Sequence, residues 1–276
     1  MLLRESAAIF FKKAGISVSL VEEKNQRAKV ALFVTCLVDL YRPSVGFASA
    51  ELLKRAGFEV IVPKGQTCCG QPAYNAGARE SAQKLARQNI DLLENFEHVV
   101  IPSGSCAGML VKHYPILLED DALYAAKARL LAGRVQELTQ FLSKHPPSHV
   151  DQGRHGESVV YHPSCSCLRE LKYPVTPPDL LAKTGLQSVP LARADVCCGF
   201  GGGFSVKYSD VSGAMAGKKC ASIRETNADI LVSADLGCLL HLAGRLKREG
   251  SSIEVRHIAE VLADQQARAA IGESGK

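Results

Sequence analysis

Eight of the ten cysteines in this 276-residue chain form two copies of one spacing pattern, and no other feature restricts the fold so tightly. An offset of 129 residues carries Cys36, Cys68 and Cys69 onto Cys165, Cys197 and Cys198. An offset of 132 carries Cys106 onto Cys238. Each half reads Cys, 31 residues, Cys-Cys, then 36 or 39 residues beginning with Gly, then a final Cys. The flanking segments match as well. Residues 30–35 before Cys36 resemble 159–164 before Cys165, and 97–102 before Cys106 resemble 229–234 before Cys238. Cys167 and Cys220 have no counterparts. A repeat of this length implies a duplicated supersecondary unit.

The secondary-structure signals repeat with the cysteines. In the first half the pattern predicts strands near 30–34, 58–63 and 99–101, with helices over 44–56, 78–94 and 106–113. In the second it predicts strands at 158–162, 187–191 and 229–233, with helices at 178–184 and 211–226. Alternating strand and helix implies parallel strands. The expected fold is α/β: two repeated parallel-sheet halves related by a pseudo-twofold axis. The expected divisions are an N-terminal extension 1–27, a first half 28–144, a turn-rich linker 145–157 and a second half 158–276. A long helix over 121–143 is expected to close the first half, and a helix over 258–270 the second.

Composition excludes several classes. Hydrophobic residues make up 46% and charged residues 22%, which suits a folded core and not a disordered chain. The net charge of +5 comes from scattered basic residues, so no nucleic-acid partner is expected. The N-terminus lacks a basic stretch followed by a long apolar run, and no apolar run is long enough to span a membrane. The expected compartment is the cytoplasm, where thiols stay reduced and clustered cysteines bind metal or do chemistry.

On the predicted scaffold, Cys36, Cys68, Cys69 and Cys106 lie just beyond the carboxyl ends of parallel strands, where open α/β sheets bind ligands. Cys165, Cys197, Cys198 and Cys238 do the same in the second half. Four converging thiolates bind zinc or an iron–sulfur cluster. Zinc sites usually carry C-x2–4-C knuckles, and neither half has one. Adjacent cysteines diverge, which suits the separated iron atoms of a cluster. Gly70, Gly104 and the run 199–203 would let backbone approach such a group, with N–H groups free to donate to sulfur.

With these motifs in view, the chain resembles the cysteine-rich CCG-domain family of iron–sulfur proteins, over about residues 30–250 and especially around 31–39 and 66–72. The resemblance is nearest to its lactate-utilisation branch. It implies an iron–sulfur electron-transfer subunit of a complex oxidising L-lactate to pyruvate, an oxidoreductase subunit inactive alone. The implied partners are companion iron–sulfur subunits, and the implied ligands are the eight paired cysteines. The family motif ends in C-x-x-C, whereas this chain has Ser103 and Asp235 at the first position of that pair. Four cysteines per half point to a [4Fe–4S] cubane, in one half or both, in place of the family's non-cubane cluster. Zinc in one half, a heterodisulfide-reductase-like cluster catalyst, and a zinc-stabilised scaffold are the alternatives.

Other residues carry open readings. Ser103 and Asp235 are either oxygen ligands or, respectively, a helix cap and a turn residue. His162 and His241 are either metal ligands or proton carriers, or else satisfied structural histidines. In an extended segment Cys167 would point the same way as Cys165, as a spare ligand or redox thiol. Cys220 falls in a helix and is expected in the core. Phe204 breaks a glycine-rich phosphate-loop reading of 199–203.

Overall fold

A computed structural model describes residues 27–150, 152, 154, 156–172, 177–265 and 269–273. Apart from Arg27, the predicted N-terminal extension lies outside these residues. Two four-stranded sheets share one topology. The first orders its strands β2-β1-β3-β4, from β1 (Lys29–Leu32), β2 (Glu59–Ile61), β3 (His98–Ile101) and β4 (Val135–Glu137). The second orders them β6-β5-β7-β8, from β5 (Ser158–Tyr161), β6 (Gln187–Val189), β7 (Ile230–Ser233) and β8 (Glu254–His257). All six strand pairings are parallel. The inner strands carry buried apolar centres, such as Val30–Leu32 and Ile230–Val232, because helices cover both faces.

The duplication extends to the packing. The helix Pro43–Arg55 packs on Ile258–Leu262, and Pro177–Ala182 packs on Leu138–Lys144. Gly104–Gly108 meets the turn Ser166–Glu170, and Leu236–Arg248 meets Cys36–Tyr41. Exchanging the halves maps each contact onto its partner, as a pseudo-twofold requires. One apolar core runs through the junction, from Val45, Leu52 and Leu138 to Leu181, Ile258 and Leu262. A buried polar contact fastens it: the Arg42 guanidinium pairs with Glu260 at 2.8 Å, and Ser44 donates to the same carboxylate at 2.6 Å.

The long helix expected over 121–143 is three elements. A helix Ala125–Ala132 stops at Gly133, β4 follows, and Leu138–Lys144 forms a second helix. Pairing decides this. Val135, Gln136 and Glu137 lie opposite Val99, Val100 and Ile101, satisfying an edge of β3 that a helix would leave open. Arg134 holds the turn by donating to the Glu94 carbonyl at 2.6 Å. The closing helix is also shorter than expected, Ile258–Leu262, and follows a strand that the sequence pattern did not suggest, β8.

Candidate metal centres

Each set of four cysteines gathers at the carboxyl end of its sheet. Cys36 does not end β1. It lies four residues beyond and opens the helix Cys36–Tyr41. Cys68 and Cys69 lie in the loop between β2 and the helix Gln71–Asn75. Cys106 sits in the first turn of a helix that runs from Gly104 to Leu117 and widens to π geometry at Met109–His113. The second half places Cys165, Cys197, Cys198 and Cys238 equivalently. Burial agrees pair by pair: Cys69 and Cys198 are each 2% exposed, and Cys106 and Cys238 each 8%. The other four are half-buried, so each set spans from protein interior to surface.

The thiols make the same contacts in both halves. Cys36 Sγ lies 3.8 Å from Cys68 Sγ, and the neighbouring Cys106 pushes the Cys69 thiol up. In the second half the neighbouring Cys197 pushes the Cys165 thiol up, and Cys198 Sγ lies 3.1 Å from Cys238 Sγ. Backbone N–H groups also donate to sulfur: Gly70 to Cys68 at 3.5 Å, Gly199 to Cys197 at 3.3 Å and Phe200 to Cys198 at 3.5 Å. The electrostatic result is one preferred thiolate per half. Cys36, Cys69 and the Gly70 N–H hold Cys68 far below the ordinary thiol range, and Cys165, Cys198 and the Gly199 N–H do so for Cys197. Cys36 and Cys165 are pushed up, first by donating to those thiolates and then by burial. Sulfur atoms this close, all free thiols and supplied with N–H donors, are a donor set suited to soft metal or an iron–sulfur cluster.

Ser103 and Asp235 are helix caps. Ser103 accepts from the Cys106 N–H, and one Asp235 oxygen accepts from the N–H groups of Gly237 and Cys238. Asp235 therefore does not sit in a turn. Its other oxygen accepts from Ser103 Oγ at 3.2 Å and from the Ser105 N–H at 2.9 Å. The two departures from the family motif thus bond to each other across the pseudo-twofold.

Cys167 does not accompany Cys165. Residues Ser166–Glu170 form a π-helical turn and not an extended strand, which turns Cys167 inward. It packs on Gly104 of the first half, where a β-carbon would lie 2.4 Å from Cys167 Sγ and 2.5 Å from Ser164 Oγ. Gly104 thus makes room for protein and not for a ligand. So does Gly199 at φ +89°, where a β-carbon would lie 2.8 Å from the Ser212 carbonyl. Cys220 is fully buried in the core, as expected.

The histidines separate. His241 has a hydroxyl partner, Ser212, at 3.2 Å and suits a structural role. His162 is fully buried, and neither ring nitrogen has a hydrogen-bond partner. Its ring lies by the thiols: one nitrogen and the sulfurs of Cys198 and Cys238 all fall within 4.8 Å of one another. Burial pulls its pKa down to about 3, and Lys219 adds to this, so the ring is neutral.

Lys219 went unrecognised in the sequence. The buried positions of Arg79–Leu93 (Ala82, Ala86, Asn89, Ile90, Leu93) recur 130 residues later as Ser212, Ala216, Lys219, Cys220 and Ile223. This alignment places Cys220 opposite Ile90, and a buried ammonium opposite Asn89. Lys219 Nζ donates to the carbonyls of Arg193 and Ala194 at 3.0 and 3.1 Å. Burial lowers its pKa, while Cys165, Cys197 and Cys198 act in the opposite direction. A lysine within an apolar stripe at helical spacing was the available signal.

Comparison with known proteins agrees with this duplicated site. The cysteine-rich CCG domain matches twice, at residues 30–111 and 159–243. Lactate utilization protein A of Bacillus licheniformis is 47% identical over 235 residues, covering 85% of this chain and 98% of that protein. The protein of that name from Geobacillus sp. is 47% identical over 239 residues, with the same coverage, and Lactate utilization protein A 2 of Bacillus cereus is 43% identical over 236. In fold, the chain matches a hypothetical protein from Helicobacter pylori with a TM-score of 0.58 at 14% identity, over 90% of this chain and 50% of that one. The chain belongs to the cysteine-rich CCG-domain family, in the branch of the lactate utilization A proteins.

Proposed function

We propose that this chain is an iron–sulfur electron-transfer subunit of a cytoplasmic complex that oxidises L-lactate to pyruvate. The observation that carries this reading is the matched pair of thiol sets, each running from a buried to a half-exposed cysteine at the mouth of a parallel sheet. The name of its relatives supports the lactate assignment. Residues 28–144 would hold one centre through Cys36, Cys68, Cys69 and Cys106. Residues 158–276 would hold the other through Cys165, Cys197, Cys198 and Cys238. A bound cluster supplies one-electron transfer. The chain's own part is to hold the thiolates and to donate N–H groups of Gly70, Gly199 and Phe200 to their sulfurs, which favours the more negative, reduced state. No dinucleotide-binding glycine fingerprint is present, so hydride acceptance from lactate belongs to a companion subunit.

The test is anaerobic assembly with companion iron–sulfur subunits. L-lactate should bleach the visible absorbance of the complex and leave the isolated chain unchanged. Disulfide turnover by the isolated chain would favour a heterodisulfide-reductase-like catalyst instead. A zinc centre in the second half is the other reading that a specific observation favours, because His162, Cys198 and Cys238 form a mixed nitrogen–sulfur set.

A further inference from the structure

The two thiol sets are alike, but their surroundings are not. Phe33 and His162 are equivalent residues, 129 apart, one position beyond β1 and β5. Their backbones are held identically: the Phe33 N–H donates to the Val100 carbonyl at 2.9 Å, and the His162 N–H to the Val232 carbonyl at 2.8 Å. Both side chains are fully buried. In the first half the phenyl ring packs in the apolar cluster that contains Cys69 and Cys106. In the second half the same place holds an imidazole with two unsatisfied nitrogens beside the equivalent thiols, Cys198 and Cys238.

An unpartnered buried ring nitrogen costs free energy on the order of 1–3 kcal/mol. A histidine merely filling core space would be better replaced by the phenylalanine that already fills it in the other half. A metal ion removes the penalty at one of the two nitrogens by taking its lone pair.

We propose that His162 is a nitrogen ligand of the second-half metal centre, alongside Cys198 and Cys238, so that the two halves hold chemically unlike centres. This rests on the reading that the thiol sets bind metal.

The test is pulsed EPR on anaerobically purified, dithionite-reduced full-length protein, with metal analysis of the same sample. The proposal predicts hyperfine coupling to a directly bound imidazole nitrogen, converted to the 15N pattern by labelled histidine. It also predicts a second signal without nitrogen coupling from the first half. His162→Phe, which copies the first half, should remove the nitrogen coupling and leave the other signal. Where the second-half metal is zinc, X-ray absorption at the zinc edge should show a nitrogen at about 2.0 Å beside sulfurs at about 2.3 Å. The wild-type spectrum decides the matter even if the variant fails to fold. A metal-loaded second half with sulfur ligands alone overturns this proposal and leaves the broader reading standing. A second half that binds no metal overturns both.

Discussion

Ser103 donates a 3.2 Å hydrogen bond to Asp235, the residue that occupies its own place in the other half of the molecule. The same carboxylate caps the helix that carries Cys238 and accepts from the N–H of Ser105 at the start of the helix that carries Cys106. One buried side chain therefore fixes the approach of two thiol-bearing helices at once. Asp235→Ala should destabilise the protein by about 2–4 kcal/mol, because it removes a cap and takes the acceptor from the Ser105 N–H. Urea unfolding of the metal-free protein measures this. Asp235→Asn, which keeps an acceptor oxygen, should cost less.

At Gly104 the halves approach too closely to admit a β-carbon. Gly104→Ala would drive a methyl group into Cys167 and Ser164 and should cost about 1–3 kcal/mol. Cys167→Ala alone should be mild, and combining the two should recover part of the Gly104→Ala loss. Thermal unfolding of the three variants checks this; strictly additive losses would contradict the packing.

Glu137 links stability to pH. Burial pushes its carboxyl up to about 7 from the ordinary 4.5, against hydrogen bonds from Thr139 and Gln140. A carboxyl raised on folding supports the native state fully below about pH 4.5 and loses that support as pH rises through about 7. The loss is on the order of 3 kcal/mol. Glu137→Gln should therefore gain on the wild type as pH rises across that window. A constant difference between the two would show that Glu137 is not the group responsible.

Arg42 and Glu260 join the halves through a buried ion pair. Arg42→Met should cost about 3 kcal/mol, because it leaves the Glu260 carboxylate buried with a smaller set of partners. Adding Glu260→Gln should restore part of the loss, and a double-mutant cycle by urea unfolding measures the coupling.

Much of this arrangement was legible in the sequence. Cysteine spacing exposed the duplication, and apolar runs at Val30–Leu32 and Val159–Val160 exposed the inner strands. What escaped notice depends on contacts between distant residues. β4 and β8 are edge strands of three and four residues, made by pairing with β3 and β7, and Val135–Glu137 lies between two helices whose pattern it does not interrupt. The direction of Cys167 turns on a π-helical turn that no local motif announces. A cap was one of the two readings the sequence left open for Ser103, and its bond to Asp235 exists only once the halves are docked.

Metal and acid-labile sulfide analysis, with EPR, on anaerobically purified protein tests the central claim most directly. The account predicts iron with labile sulfide, an EPR signal on reduction, and iron content falling by roughly half in either Cys68→Ser or Cys197→Ser, each of which removes the preferred thiolate of one half. Freshly isolated protein holding stoichiometric zinc, with neither iron nor labile sulfide, would contradict it.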